Sequence, residues 1–356
     1  MLDSIDSLIL ATATQSSSLA SSATQASGMS RVAISRRIKR LADKGYLSRH
    51  GSGTRQTYSL GAHRFWSMHC ERKLIIGQGG EFAVWESHVA LLLQNLEPNV
   101  YNLANIAFTE MLNNAIDHSD SKHLAMGLHF DGAKGVLEMF VVDDGVGIFE
   151  RISKSLKLFD KRLAILELAK GKFTTAPAQH SGMGVFVSSR MVDSFCIESG
   201  GLTFAPRFKL GRMPAFEWVN VNDLLEKQKH HSTHGTLVRM ALDAGTQRTA
   251  QEVYEKYFSS EEVGQDAFHT TEVPVKLAQL SSQLNSRSQG KWVLERATQF
   301  KTVVLDFEGV DMVGQGFADE VFRVFALAHP EVALKVINAS EPVKTSLRML
   351  APHFRA

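Results

Sequence analysis

Apolar positions along the chain change rhythm several times, and each change marks an element. In GMSRVAISRRIKRLADKGYL, Ile34, Ile38 and Leu41 fall on one face of a helix that starts at Arg31, with Ser30 able to cap it and Gly45 able to end it. The next stretch, YLSRHGSGTRQTYSL, alternates around Gly51 and Gly53 as a hairpin does. Upstream lies ATATQSSSLASSATQASG, where a supporting helix is expected to begin at Leu19-Ala20 or at Ala23-Thr24. Leu103, Ile106, Ala107 and Met111 set out another helix in VYNLANIAFTEMLNNAIDHS, with Glu110 and Asn114 four apart on one face. Two strand-like runs follow, HLAMGLHF and VLEMFVVDDGVGI, joined by the turn DGAKG. HSGMGVFVSSRMVDSF, residues 180–195, reads as a helix opened by two glycines. The last third alternates strand (KTVVLDFEGV), helix (GQGFADEVFRVFALAHP), strand (ALKVINAS) and helix (EPVKTSLRML), the pattern of a small α/β domain.

A chain of 356 residues suits two or three domains. Its 44% hydrophobic and 21% charged residues are those of a folded, soluble protein. Cys70 and Cys196 are too few and too far apart for a disulfide framework or a cysteine-based zinc site, and this fits a reducing compartment. No apolar run approaches ~18 residues, so no membrane span is expected and the expected location is cytoplasmic. The net charge is only +2, but residues 1–65 carry nine Lys/Arg against three Asp/Glu, which leaves −4 for the rest.

The helix from Arg31 carries Arg31, Arg36, Arg37 and Arg40 on its polar face, and the hairpin adds Arg49 and Arg55. Helix, turn and basic hairpin in this order resemble bacterial winged-helix regulators across roughly residues 5–60. The resemblance implies a winged helix-turn-helix over 1–65 that binds double-stranded DNA through these six arginines, Arg36 and Arg37 foremost.

Three ordered boxes in the middle, Glu110-x-x-x-Asn114, Asp143-x-Gly145-x-Gly147 and Gly182-Met183-Gly184, resemble the GHKL superfamily of ATP-binding domains. The resemblance spans roughly residues 80–242 and implies an α/β sandwich domain within 75–245. By that likeness Asp143 reads adenine, Gly145 and Gly147 pass close to the purine, Asn114 holds Mg2+ and Glu110 orients the attacking water or hydroxyl. Gly182, Met183 and Gly184 bring free N–H groups at a helix start to the phosphates. HGTLVRMAL resembles the closing strand, with Thr236 near the adenine. SGMG followed by MVD is most similar to anti-sigma factor kinases. His88 is followed by Val89, where sensor kinases usually carry an acid, and reads as an ordinary helix histidine.

SRSQGKWVLERATQFKTVVLDFEGVDMVGQGFADEVF resembles the STAS-like domain family of unknown function over roughly residues 265–350, within a domain expected at 262–356. Where antagonists of anti-sigma factor kinases carry a phosphorylated serine, this chain reads Met312-Val313-Gly314-Gln315-Gly316, which has no hydroxyl. Phosphoryl transfer to that loop within the chain is thereby excluded. Asp306, Asp311, Asp319 and Glu320 read as a strand-end acid and helix-start charges. The fold class expected is multidomain α/β (α+β). The expected function is that of a transcriptional regulator in which ATP with Mg2+ in the middle domain controls DNA or partner binding. The alternatives are a serine/threonine kinase or ATPase acting on a separate partner, and an ATP-gated protein interaction module. A partner for the STAS-like domain and a homodimer both stay open.

Overall fold

The computed structural model describes residues 2–14, 18–53, 56–170, 184–208, 235–257 and 272–351. It is a mixed helix and sheet structure whose contacts fall into two units, residues 1–148 with 188–250 and residues 149–187 with 251–356. The first unit holds all of 1–65 and most of 75–245, whereas 149–187 group with the C-terminal residues.

The first unit begins with α1 (Ser4–Ala13), α2 (Leu19–Ser27) and α3 (Arg31–Asp43). α2 starts at the earlier of the two expected points. Ser30 caps α3 by accepting from the Ala33 amide, and Ile34, Ile38 and Leu41 are buried as their spacing predicts. β1 (Leu47–His50) and β2 (Thr57–Leu60) form the hairpin, antiparallel with Leu47 opposite Leu60. Three residues later β3 (Arg64–Glu71) enters a larger sheet. Short helices α4 (Arg72–Gly77), α5 (Gly80–Val84) and α6 (Ala90–Leu93) lead to the long α7 (Pro98–His118). β4 (His123–Asp131) and β5 (Val136–Asp143) follow. The chain then passes through α8 (Ile148–Ser155), α9 (Arg162–Lys170) and α10 (Gly184–Met191) to β6 (Ser194–Ser199), β7 (Leu202–Phe208) and β8 (Thr236–Asp243).

The sheet has strand order β3-β4-β5-β8-β6-β7, with antiparallel neighbours throughout. It is covered on both faces, and alternation along the strands decides which residue serves which cover. Phe65, Ala125, Phe140 and Val142 share one core with Ile9, Leu10, Ile34 and Leu41 of the N-terminal helices. Trp66, next to Phe65, points the other way, and its ring meets Phe108 of α7 at 6.3 Å between centroids. His88 lies in a five-residue π turn (Trp85–Val89) with its ring stacked on Trp66, and burial holds its pKa below the ordinary value. Helix α10 stops at Met191 and β6 starts at Ser194, inside the stretch read as helix to residue 195. The Asp193 amide turns the chain there by donating to the carbonyl of Ala241, on β8.

The second unit continues with α11 (Ala250–Tyr257), β9 (Glu272–Lys276), β10 (Gln283–Leu284), α12 (Arg287–Leu294), β11 (Thr302–Asp306) and β12 (Met312–Val313). The helix that starts as α13 (Gln315–Asp319) runs on through a π turn to Ala328, before β13 (Ala333–Ile337) and α14 (Glu341–Leu350). β13, β11 and β9 form a parallel sheet in that order, as strands separated by helices should. Val275, Val303, Leu305, Phe317, Val321 and Val343 fill its core. No helix among the described residues is long and apolar enough to cross a membrane.

The start of α1 is tied to α3 by charge. Asp3 and Asp6 form a capping box, and Asp6 is fully buried. Arg37 donates to Asp3 at 2.8 Å and to Asp6 at 2.9 Å, and Arg40 donates to both oxygens of Asp6. Asp6→Ala takes away the carboxylate that Arg40 bonds and leaves Arg37 with Asp3. Because the Arg37 and Arg40 side chains keep 23% and 41% exposure, water recovers part of the loss. The expected destabilisation is about 1–3 kcal/mol, read as a lowered urea midpoint. An unchanged midpoint contradicts this account of the α1–α3 contact.

Candidate functional site

β5 ends on Asp143, and the register of β5 with β8 sets Asp143 opposite Thr236. The Asp143 carboxylate accepts the Gly145 amide at 2.9 Å and also bonds the Thr236 hydroxyl and amide. Thr236 Oγ1 in turn accepts the Ile148 amide at 3.1 Å. One hydroxyl therefore links the acid to the first residue of α8. Asp143 is 5% exposed, and desolvation pushes its pKa up to about 7 although the Gly145 and Thr236 bonds pull it down. Asp144, next in the chain, behaves oppositely. Partial burial pushes its pKa up, but the His123 and Lys122 amides and the His123 ring overcome this and hold it low.

The cradle around Asp143 is closed by backbone that tolerates no side chain. A Cβ at Gly145 would stand 1.9 Å from the Ser119 carbonyl oxygen, which accepts the Val146 amide at 2.9 Å and so seats the loop on the end of α7. Gly147 has φ +89°, and a Cβ there would meet Ser199 Oγ at 2.6 Å. Ser199 Oγ is in place because it donates to the Gly235 carbonyl at 2.7 Å. A Cβ at Gly235 would lie 2.2 Å from the Asp143 carbonyl oxygen. Ser119, Ile148, Ser199 and Gly235 belong to the site although the sequence reading did not single them out. The Gly235-Thr236 pair beside a strand start was the signal available for one of them.

Glu110 and Asn114 lie on α7, one turn apart, with Glu110 exposed. Asn114 Nδ2 is buried and has no hydrogen-bond partner, an arrangement that costs free energy unless something else occupies it. The Asn114 amide oxygen is a hard donor suited to Mg2+. Gly182 and Met183 lie outside the described residues, whereas Gly184 opens α10.

On α3, Arg31, Val32, Ser35, Arg36 and Lys39 are exposed and lie along one side. Arg37 and Arg40 instead bond Asp3 and Asp6, because the polar side of α3 is wide enough to meet both water and α1. Arg49 and His50 are exposed on the hairpin, and Arg55 lies outside the described residues. In the second unit, Asp306 accepts the Glu308 amide and the Asn338 side chain, each at 3.0 Å, and Asp319 pairs with Arg287 and Arg323. These are local structural bonds.

Residues 289–344 match the family described as a STAS-like domain of unknown function (DUF4325). No curated protein matches the chain.

The raised pKa of Asp143 makes a pH prediction with a definite sign. A carboxyl whose folded pKa exceeds its unfolded value contributes stability below the unfolded value, near 4, and loses it as pH rises through about 7. Asp143→Asn removes this dependence. Between pH 5 and pH 8 the variant should gain about 2–3 kcal/mol on the wild type, compared by urea denaturation at both values. Parallel pH dependences contradict the burial argument.

Proposed function

We propose that the chain is a DNA-binding regulator whose Asp143 cradle takes ATP with Mg2+. The observation that carries this reading is the buried, hydrogen-bonded carboxylate of Asp143 walled by Gly145, Gly147 and Gly235. A fixed carboxylate in such a place accepts an exocyclic amine and repels a carbonyl, a preference for adenine over guanine. The glycines let the backbone close on the carboxylate, since a Cβ at Gly145, Gly147 or Gly235 would strike Ser119, Ser199 or the Asp143 carbonyl. The unpartnered Asn114 Nδ2 is a donor and supports an acceptor such as a phosphate oxygen near α7, while the amide oxygen of the same side chain is the hard donor that suits Mg2+. The antiparallel sheet covered by α7, with the cradle at its strand ends, is compatible with the GHKL likeness of the three boxes. ATP supplies a transferable phosphoryl group when bound. Glu110, exposed and one turn from Asn114, is the residue here suited to orient a nucleophile, and it favours turnover as a second reading, that of an ATPase or a kinase for a separate partner.

For the N-terminal segment the reading is a winged helix-turn-helix on double-stranded DNA. The three helices and hairpin occur in the expected order, and the exposed side of α3 carries Arg31, Arg36 and Lys39, with Asp43 one turn beyond Lys39. Arg37 and Arg40 serve as braces to α1, so Arg36 is the stronger candidate for DNA contact of the pair Arg36 and Arg37.

Two measurements test these readings. In calorimetry, Asp143→Asn should weaken Mg-ATP binding by ~1–3 kcal/mol, and Glu110→Ala should abolish any turnover while keeping most of the affinity. Unchanged affinity in Asp143→Asn removes the adenine role. In the second, Arg36→Ala should weaken DNA binding and flatten its salt dependence, since each phosphate contact releases counterions. Arg37→Ala should mainly lower the urea midpoint. Normal DNA binding by Arg36→Ala favours a protein-docking role for this segment.

A further inference from the structure

α9, RLAILELAK, is enclosed along nearly its whole length: residues 163–170 are all buried, including Glu167 and Lys170. A helix buried all round belongs inside a core. Leu166 joins the cluster formed by Val275, Leu277, Leu294 and Leu305, and α9 packs along β9. The charged end is held as closely. Lys170 Nζ donates to Glu167 Oε1 at 2.6 Å, to the Trp292 carbonyl at 3.3 Å and to the Glu295 carbonyl. Arg296 Nη1 donates to Glu167 Oε2 at 3.0 Å. The ammonium thus sits on the C-terminal carbonyls of α12, where helix polarity favours a cation. Arg296 adopts φ +57°, a conformation rare outside glycine, at the point where its side chain reaches Glu167. Just before α9, the Phe159 ring packs on Trp292 with centroids 4.7 Å apart.

Trp292, Glu295 and Arg296 all lie within the STAS-like match at 289–344, whereas α9 lies more than a hundred residues earlier. In sequence α9 falls between the Asp143 box and the Gly182-Met183-Gly184 box. The cradle runs directly into α8, because Ile148, whose amide bonds Thr236, is its first residue, and residues 156–161 join α8 to α9.

We propose that the STAS-like unit functions as an intramolecular receptor for α9, and that occupancy of the Asp143 cradle is transmitted to it through α8 and α9. The glutamate, lysine and arginine form the specific part of this clamp, since a buried ion trio is satisfied only in one docking. Loss of Glu167 removes the carboxylate that Lys170 and Arg296 share, and loss of Lys170 removes the donor on the Trp292 and Glu295 carbonyls. The inference rests on the nucleotide reading, and its test separates the two.

Hydrogen exchange of the full chain, read by mass spectrometry with and without Mg-ATP, is the experiment, with calorimetry of Mg-ATP on the same samples. In the wild type, exchange in α9 and α12 should change at least threefold on adding Mg-ATP. In Lys170→Met and Glu167→Gln the α12 response should disappear, while β11 and β13 remain as protected as in the wild type and calorimetry still records binding. Binding by the wild type without any exchange response in α9 and α12 overturns the transmission and leaves the nucleotide reading standing. A full response in both variants overturns the clamp. No Mg-ATP binding by the wild type overturns the nucleotide reading, and the transmission with it. The wild-type comparison is decisive even where a variant does not fold.

Discussion

The pairing of β5 with β8 is the constraint on which the rest of the candidate site depends. With Asp143 opposite Thr236, the acid meets a hydroxyl and an amide, and Gly235 brings its backbone against the Asp143 carbonyl. A slip of one residue would turn Asp143 to the other face, away from Thr236. The hydrophobic alternation forbids that slip, because Phe140 and Val142 must meet the N-terminal helices while Trp66, one residue on from Phe65, meets α7. The stability of the sheet and the placement of a costly buried carboxyl are thus one requirement.

The same economy of positions governs the N-terminal helices. Their apolar side shares a core with the sheet, and their charged side is divided between α1 and water. The basic excess of residues 1–65 already counts Asp3 and Asp6, so their pairing with Arg37 and Arg40 leaves the excess in place and decides which arginines face outward. What remains outward on α3, Arg31, Arg36 and Lys39, is the part available to a polyanion.

Much of this was legible from spacing. α3, the hairpin, α7, β4, β5 and the helix-strand alternation of the last third follow from period and punctuation, and Asp143, Gly145, Gly147 and Thr236 converge as their order in the chain suggests. β3 was not visible, because RFWSMHCE mixes polar and apolar residues on a strand whose two faces meet different covers. β6 was hidden by the apolar run it shares with α10, which periodicity alone does not divide. The pairing of Arg37 and Arg40 with Asp3 and Asp6 needed tertiary structure, since more than thirty residues separate the partners. So did the attachment of α9 to the C-terminal unit. LAILELAK announces burial, but nothing in its sequence names Trp292, Glu295 and Arg296 as its hosts.

The most direct test of the central claim is the titration of the Asp143 carboxyl, followed by carbon NMR in the full chain with and without Mg-ATP. The account predicts a midpoint near pH 7 in the free protein and a downward shift on adding Mg-ATP, because an amine donor stabilises the ionised acid. A midpoint near the ordinary carboxylate value, unmoved by Mg-ATP, contradicts both the burial of Asp143 and its proposed role.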